Sequence, residues 1–328
     1  MRVLSADDVR RAVPMQAAID AVEAAFMGLA TGQADVPLRV QIATPAPQGV
    51  SFCMPARLGG APAPALGVKV VSVFPGNLGR GEPSIYALVN LFDPASGRPL
   101  AVIDGTYLTA LRTGAASGVA TRHLARTEAR VLAIFGAGAQ ALPQVLAVCT
   151  VRPIERVWIV NRTAERARLL AARLRDAGLT QDLRIARGPA QALAEADVVC
   201  TATSSPTPLF ADAELRPGTH INAIGAYRPA MAEIPPATLA RARIVVDQRQ
   251  AAWAEAGDLI QAREAGAISE AHIVGELGDV AAGTIPGRSG SAEITCFKSV
   301  GNAVQDVAVA ALALTRASEL GLGVELEL

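Results

Sequence analysis

The sequence feature that most restricts the fold is a short apolar run followed by closely spaced glycines. Residues 131–135 are five consecutive apolar residues, too few for a helix of usual length and typical of a strand buried on both faces. Gly136 and Gly138 follow at once, and a helical pattern begins near Ala141. These residues predict a strand, a tight turn and a helix.

The glycine spacing suits phosphate binding at the start of that helix. Gly136 lets the chain turn tightly, Gly138 leaves room for a pyrophosphate beside the backbone, and Ala141 takes the third position of a G-x-G-x-x-G/A pattern. The helix directs its free N–H groups and positive dipole end at the phosphates. Since Gly-Ala-Gly also ends strands for structural reasons alone, the glycines by themselves leave both interpretations open.

A second predicted strand supplies the context for a dinucleotide-binding Rossmann unit. It covers residues 157–160 and is followed by Asn161, Arg162 and Thr163, near the position where a Rossmann unit binds the ribose. An acid there would repel a 2′-phosphate, whereas these side chains supply donors and a positive charge. Because cations are unfavourable beside a helix N-terminus, a bound anion explains Arg162 and Arg166 better than a solvated helix start does. We therefore predict NADP(H) in preference to NAD(H).

Composition and charge exclude several other classes of protein. The chain has 328 residues, 51% of them hydrophobic, which is enough for a large core and two domains. Its 30 basic and 30 acidic residues cancel, so no net charge recruits nucleic acid or an anionic membrane. We find no membrane-spanning run, signal-peptide core or zinc-binding cysteine pattern. These features predict a soluble cytoplasmic protein with free thiols and no metal.

The first part of the chain has the pattern of an antiparallel sheet with helices before it. Amphipathic helices are predicted within residues 5–29. Five β-rich segments broken by Pro and Gly follow, at 38–42, 50–54, 66–74, 85–92 and 100–103. A strong turn at 93–97 joins the last two, which favours antiparallel pairing. A long helix over 106–125, capped by Thr106, is predicted next.

The second part alternates strands and helices, as in a parallel Rossmann sheet. Its predicted strands are 131–135, 157–160, 197–203, 220–225 and 243–247, which would complete the α/β core. A last helix at 299–314 is expected to return to the first part. We thus predict an α/β protein with a smaller α+β domain with an antiparallel sheet at 1–117, completed by 304–328, and a Rossmann NADP-binding domain at 118–303.

Three basic residues lie within apolar surroundings: Arg39, Lys69 and Arg112. A buried charge is costly unless it is paired, so each of them needs an anion. For any single one, a cation snorkelling from a strand face is an equal alternative. The three together favour a site for a carboxylated substrate beside a nicotinamide.

Several motifs are in the order and spacing of the ornithine cyclodeaminase/μ-crystallin family, which the chain resembles over nearly its whole length. They are residues 37–39, 67–69, 111–117, 136–140, 161–163, 224–226 and 297–301. The resemblance implies that the domain at 1–117 is a substrate-binding and dimerisation domain and that a homodimer is built through its sheet. It also implies a Rossmann domain, a nicotinamide cofactor and a small imino-acid or amino-acid substrate.

The same resemblance implies the site residues. Those matching Arg39, Lys69 and Arg112 hold the substrate carboxylate, with Met54 beside them, and Glu255 matches an acid that faces the substrate in the μ-crystallin branch. An exposed carboxylate at a helix start is the alternative for Glu255. The implied cofactor contacts are Arg112, Thr113, Gly136, Gly138, Ala139, Gln140, Asn161, Arg162, Thr163, Arg166, Thr201, Ala202, Thr203, Ile224, Gly225 and Gly301.

One departure from the cyclodeaminases concerns the reaction. They carry an Asp two residues after the glycine that matches Gly225, where this chain has Tyr227. Ornithine deamination needs a base, whereas an imine can arrive as an iminium ion already electrophilic at C2. Hydride delivery then needs positioning more than an acid. Lys69, Arg112 and Tyr227 form the predicted catalytic set, with Tyr227 either capping the pocket or donating a proton.

The resemblance and these residues lead to three hypotheses for function. The first is NADPH-dependent reduction of a cyclic imino acid, Δ1-pyrroline-2-carboxylate or Δ1-piperideine-2-carboxylate, to proline or pipecolate. The second is ornithine cyclodeaminase or an alanine-type amino-acid dehydrogenase, both of which leave Tyr227 unexplained. The third is a non-enzymatic NADPH- or ligand-binding protein like μ-crystallin, against which the intact set of cations weighs.

Overall fold

A computed structural model describes residues 1–45, 49–60 and 64–327 of the chain. The chain forms two compact units: Met1–Thr113 with Asn302–Leu328, and Gly114–Gly301.

The first unit contains most of the short strands. It begins with β1 (Arg2–Leu4), α1 (Ala6–Ala12), α2 (Met15–Ala30), β2 (Ala34–Asp35), β3 (Val40–Thr44), β4 (Gly49–Leu58), β5 (Ala65–Val73), β6 (Ile85–Phe92) and β7 (Pro99–Asp104). The next helix, α3 (Gly105–Leu124), continues from this unit into the second. Its predicted cap is wrong, because Asp104 accepts the N–H of Tyr107 at 2.8 Å whereas the Thr106 hydroxyl accepts the N–H of Ala87.

The second unit alternates strands and helices. Its elements are β8 (Val131–Phe135), α4 (Ala141–Val151), β9 (Arg156–Val160), α5 (Ala164–Asp176), β10 (Asp182–Ile185), α6 (Pro189–Leu193), β11 (Val198–Thr201), β12 (His220–Ala223), α7 (Pro236–Arg241), β13 (Arg243–Val246), α8 (Arg249–Glu255), α9 (Gly257–Glu264), β14 (Ile273–Glu276), α10 (Leu277–Ala281) and β15 (Thr295–Lys298). The chain then forms α11 (Ala303–Glu319) and β16 (Val324–Glu325), which belong to the first unit.

The sheet of the second unit is parallel throughout, in the order β10-β9-β8-β11-β12-β15-β13-β14. The strand order reverses between β8 and β11, which opens a crevice at the carboxyl ends of these strands, as in doubly wound folds. The Rossmann prediction is confirmed. The expectation that the core closes at residue 247 is wrong, because β15 inserts between β12 and β13 and β14 forms an edge.

The sheet of the first unit has the order β16-β1-β7-β6-β5-β4-β2, with β3 also paired to β4. Its pairs are antiparallel, as predicted, except that β1 runs parallel to β7. Helix α11 packs against α2 and across β4, β5 and β6. Gly67 of β5 lies close to this helix, because a Cβ there would be 3.1 Å from Val307 Cγ2; it would also be 2.8 Å from the Asn90 carbonyl oxygen. Alternation along β5 therefore turns Lys69 toward α11 as well.

Candidate active site

Two of the three cations singled out in the sequence share one buried carboxylate. Lys69 Nζ lies 2.7 Å from Asp306 Oδ2, and Arg112 Nε donates to Asp306 Oδ1 at 2.9 Å. Arg112 Nη1 also donates to Gln305 Oε1 at 2.8 Å. All four side chains are buried. Lys69 and Arg112 are thus paired cations of the interior and do not snorkel to solvent.

Burial changes the acidity of Lys69. Desolvation and then the charge of Arg112 lower the pKa of Lys69 from its usual 10.5 to about 7, although Asp306 opposes this shift. Desolvation disfavours the charged amine, and a second cation nearby adds to the effect. The amine therefore gains or loses its proton near neutral pH.

Two further predicted substrate residues, Arg39 and Met54, lie near Lys69 but differ from it in burial and contacts. Arg39 directly precedes β3 and is half-buried, with its guanidinium carbon 4.8 Å from the centre of the Phe52 ring. Its charge also lowers the pKa of Lys69, although four other causes outweigh it. Met54 is buried on β4 directly opposite Lys69 in the β4–β5 register. Met54 and Lys69 thus lie opposite one another on neighbouring strands of one sheet, and Arg39 directly precedes a third strand.

Sequence reasoning missed the counterion. Asp306 lies in the first turn of α11 between Gln305 and Val307, and its side chain is fully buried. The one signal available was a lone acid on an apolar helix face, in a chain whose buried cations required an anion. Its distance of 194 residues from Arg112 along the chain gave no clue to the pairing.

The glycine loop of the second unit fits a pyrophosphate. Gly136 has a φ of +100°, and a Cβ there would lie 2.6 Å from the Ala202 carbonyl oxygen, so a side chain is excluded for two reasons. At Gly138 a Cβ would meet nothing within 4 Å, which leaves the backbone open to a ligand. Ala139 and Gln140 complete the loop, and α4 starts without a side-chain cap or an acid in its first turn. Its N–H groups are therefore suited to an anion.

The segment after β9 presents the cations predicted to bind a phosphate. Arg162, Thr163 and Arg166 are exposed, and Asn161 Nδ2 donates to the Thr163 carbonyl at 2.8 Å, which holds the turn into α5. No carboxylate occupies residues 161–163.

The remaining predicted cofactor residues of this unit follow the ends of neighbouring strands. Thr201, Ala202 and Thr203 end β11 or follow it, and Ile224 and Gly225 follow β12. Since β9, β8, β11, β12 and β15 are adjacent in this order, the structure brings these segments to one edge of the sheet. A nicotinamide dinucleotide fits this edge of the sheet, because the start of α4 offers backbone N–H donors and Gly138 leaves the backbone open to a ligand.

A carboxylate that sequence reasoning missed fixes the loop after β15. Asp247 Oδ2 accepts the N–H groups of Gly301 at 2.7 Å and Val300 at 2.9 Å, and it also accepts the hydroxyl of Ser299 at 2.7 Å. Gly301 itself has a φ of +89°. Arg112 and Thr113, which were also predicted to contact the cofactor, belong to the first unit.

Tyr227 and Glu255 belong to the second unit. Tyr227 is half-buried against an apolar cluster, and the Arg228 guanidinium carbon lies 5.5 Å from the centre of its ring. Glu255 is the half-buried last residue of α8. Glu255 also directly precedes Ala256, the N-cap of α9, so its half-buried carboxylate lies near a helix start.

Among the residues described, no single helix is long and apolar enough to cross a bilayer. Helices α1 and α2 reach that length and apolar character only when they are taken together, and they are bent by 88° relative to each other. In the same parts of the chain, no group of three or more His, Cys, Asp or Glu side chains is arranged to hold a metal ion.

Comparison with known proteins decides the family. The model of the ornithine cyclodeaminase/mu-crystallin family matches residues 1–320. The chain belongs to this family. It is 39% identical over 328 residues, 100% of both chains, to a Delta(1)-pyrroline-2-carboxylate reductase of Bacillus cereus.

Solved structures agree with this placement. The Thermococcus litoralis Delta(1)-pyrroline-2-carboxylate reductase in complex with NADH and L-proline matches with a TM-score of 0.95 and 38% identity, covering 99% of this chain and 100% of that one. An archaeal alanine dehydrogenase dimer with bound NAD matches with a TM-score of 0.92 and 35% identity, covering 100% and 99%. The fold class inferred from the sequence is confirmed.

Proposed function

We propose that this family member reduces a cyclic imino acid, Δ1-pyrroline-2-carboxylate or its six-membered homologue Δ1-piperideine-2-carboxylate, to proline or pipecolate with NADPH. The enzyme is an oxidoreductase that uses a nicotinamide dinucleotide and acts on C=N bonds. The observation that carries the proposal is the buried group of Lys69, Arg112 and Asp306. Protonated Lys69 and Arg112 carry two positive charges and Asp306 carries one negative charge, so one positive charge remains for a single substrate carboxylate.

The chain's own residues hold and orient the substrate in this reaction. Arg112 uses Nε and Nη1 within the protein, which leaves donors on Nη2 for the carboxylate. Lys69 supplies a second cation at the same place. Bound NADPH supplies a hydride to the imine carbon, so the C=N bond becomes C–H and N–H while NADP⁺ forms and one proton is taken up. Tyr227 is proposed to cap the pocket or to supply that proton.

A direct assay tests the function. Purified protein with NADPH and either cyclic imine should oxidise the cofactor and yield proline or pipecolate, measured by absorbance and by chromatography. The two ring sizes are compared at equal concentrations. Absence of turnover at saturating imine, together with ammonia release from L-ornithine, would favour a cyclodeaminase, and NAD-dependent oxidation of L-alanine would favour a dehydrogenase. NADPH binding with none of these reactions would favour a non-enzymatic binder.

The preference for NADPH rests on residues 161–166. The related structures contain NADH or NAD, whereas here Arg162 and Arg166 are exposed beside the start of α5 and no acid occupies residues 161–163. We expect Arg162→Ala to weaken NADPH binding about tenfold or more, because a charge-assisted hydrogen bond to the 2′-phosphate is lost. NADH binding should hardly change. Fluorescence titration with both cofactors measures this.

The matched control for that variant is Arg168→Ala on the same helix. Arg168 is exposed and pairs with Glu165 one turn away, so its loss should leave both cofactor affinities unchanged. Equal weakening of NADPH and NADH by Arg162→Ala would overturn the NADP assignment.

The binding of a ring carboxylate such as pyrrole-2-carboxylate should depend on pH through the charge of Lys69. The charged groups that act on Lys69 are Arg112, Asp306 and Arg39, and the pKa of Lys69 is about 7. A carboxylate favours the protonated amine, so pyrrole-2-carboxylate, whose charge is constant near neutral pH, should bind with constant affinity below pH 7. Above that pH its affinity should fall, by up to about tenfold per pH unit. Calorimetric titration across neutral pH measures this, and a flat profile would contradict a role for the Lys69 charge.

We also propose that the chain forms a homodimer through the outer face of its N-terminal sheet. In the strand register, Val40, Cys53, Val70 and Leu88 form one row across four strands, and Ile42, Ser51, Ser72 and Tyr86 form the next. Five of these side chains are large, apolar or aromatic, and exposed: Val40, Ile42, Val70, Tyr86 and Leu88. A contiguous apolar face of this kind marks an interaction surface.

A charge placed on this face tests the dimer. Leu88→Asp should convert a dimer to a monomer, because an unpaired carboxylate would be buried at the interface. Leu169→Asp, at an exposed leucine of α5 in the other unit, is the matched control and should remain dimeric. Analytical ultracentrifugation gives the mass, and a dimeric Leu88→Asp variant would place the interface elsewhere.

A further inference from the structure

A buried carboxylate connects the segments that follow two neighbouring strands of the Rossmann sheet. Glu233, between β12 and α7, is fully buried. Its Oε1 accepts the N–H of Thr203 at 2.6 Å and the hydroxyl of Thr203 at 2.8 Å. Its Oε2 accepts the hydroxyl of Thr201 at 2.8 Å and the N–H of Gly225 at 2.6 Å. One side chain thus ties the segment after β11 to the segment after β12.

The backbone segments around this carboxylate are closely packed. A Cβ on Gly225 would lie 2.1 Å from the Thr203 carbonyl oxygen and 2.5 Å from Glu233 Oε1. The Ala202 carbonyl in turn lies against Gly136 of the phosphate loop, where a Cβ would be 2.6 Å away. The segment after β11 is therefore in contact with the segments after both β8 and β12, and Glu233 supplies side-chain hydrogen bonds that connect it to the latter.

A second buried ion pair holds Glu233 in place. Asp258 Oδ1 accepts the N–H groups of Glu233 at 2.6 Å and Ile234 at 3.0 Å, and its Oδ2 lies 2.7 Å from Lys298 Nζ at the end of β15. Both Asp258 and Lys298 are buried. Burial raises the pKa of Glu233, while the charge of Lys298 and the donors of Thr203 act in the opposite direction. Such a costly group in a core calls for a reason beyond stability.

We propose that Glu233 is a positioning residue that sets the cofactor-binding geometry of residues 201–203 and 224–225. The inference rests on the proposed nicotinamide site, because those residues are the ones expected to meet the cofactor. Glu233 is covered by them, so it acts through their backbone and does not touch the cofactor. Fixing supporting groups by a second layer of hydrogen bonds is how proteins hold a binding site to within fractions of an ångström.

Glu233→Gln tests this role with almost no change in shape. Each carboxylate oxygen accepts a backbone N–H, from Thr203 on one side and from Gly225 on the other. An amide offers one acceptor and one NH₂ group, so in either orientation a donor faces a backbone donor that cannot turn away. The tightly packed segment should shift, and NADPH should bind about tenfold more weakly or worse. Glu233→Asp, which keeps the charge but is shorter, should also weaken binding.

The matched control is Asp197→Asn at the opposite edge of the same sheet. Asp197 Oδ2 likewise accepts two backbone N–H groups, from Arg130 at 2.8 Å and Val131 at 3.0 Å. It lies at the amino end of β11, away from the predicted cofactor edge. Its loss should lower the thermal midpoint while leaving the NADPH dissociation constant within about twofold of the unmodified protein.

Fluorescence titration with NADPH and thermal unfolding are measured on each full-length variant. Weaker binding by folded Glu233→Gln or Glu233→Asp, with unchanged binding by Asp197→Asn, supports the proposal. If Glu233→Gln does not fold, Glu233→Asp decides alone. Normal binding by a folded Glu233 variant overturns the positioning role while the proposed function stands. If the unmodified protein binds neither NADPH nor NADH, the proposed function fails and this inference fails with it.

Discussion

Arg112→Lys should lower kcat/KM for the cyclic imine by roughly a hundredfold or more, because a small misplacement of a bound substrate already costs about that factor. Lysine keeps the charge but loses the planar fork that reaches Asp306, Gln305 and the substrate together. The carboxylate would then be held at one point and the imine carbon would be free to turn away from the cofactor. Lys69→Ala should have an effect of similar size, since it removes the second cation.

These variants must be separated from unfolded protein and from general effects of charge. Both should remain dimeric and still bind NADPH, because most of the predicted cofactor contacts, including the phosphate loop, are unchanged. Arg98→Lys, at an exposed turn of the same unit, should leave steady-state kinetics unchanged. Near-normal turnover by Arg112→Lys or Lys69→Ala would show that these cations are structural and that the substrate is anchored elsewhere.

The features predicted correctly from sequence are those that local pattern determines. The run at 131–135 with Gly136 and Gly138 specified a strand, a turn and a helix start, because backbone sterics act over a few residues. The alternating segments at 66–74 and 85–92 gave the antiparallel strands for the same reason. The need for an anion beside Lys69 followed from the cost of burying a charge.

The features that were missed depend on contacts distant in sequence. Strand β15 contains Lys298, whose charge hides the apolar character of the strand until its buried partner Asp258 is known. Glu233 and Asp306 each lie in a segment with no motif, and their roles come from which strand ends or helix faces the fold brings to them. Tertiary pairing of this kind overrides local propensity and cannot be found from spacing alone.

The structure also makes a prediction about stability that follows from the counterion. Asp306→Ala should destabilise the protein by about 3–5 kcal/mol, the usual cost of leaving a buried charge without its partner. Lys69 can release its proton, because its pKa is already about 7. Arg112 cannot, since a guanidinium stays charged in proteins. Arg112 now makes two side-chain hydrogen bonds to α11, to Asp306 and to Gln305. In the variant it would stay buried and keep only the bond to Gln305.

Urea unfolding at fixed protein concentration measures the loss. Asp7→Ala is the matched control, because Asp7 pairs with Arg10 at 2.9 Å in an exposed position and exposed pairs contribute little. The double variant Lys69→Met with Asp306→Leu should recover part of the stability lost in Asp306→Ala, since it removes one buried cation along with the carboxylate and fills their volume with apolar atoms. If Asp306→Ala were no more destabilising than Asp7→Ala, water would have to reach the two cations in the free protein. The site would then lack the low-dielectric surroundings on which the proposed binding of the substrate carboxylate by Lys69 and Arg112 depends.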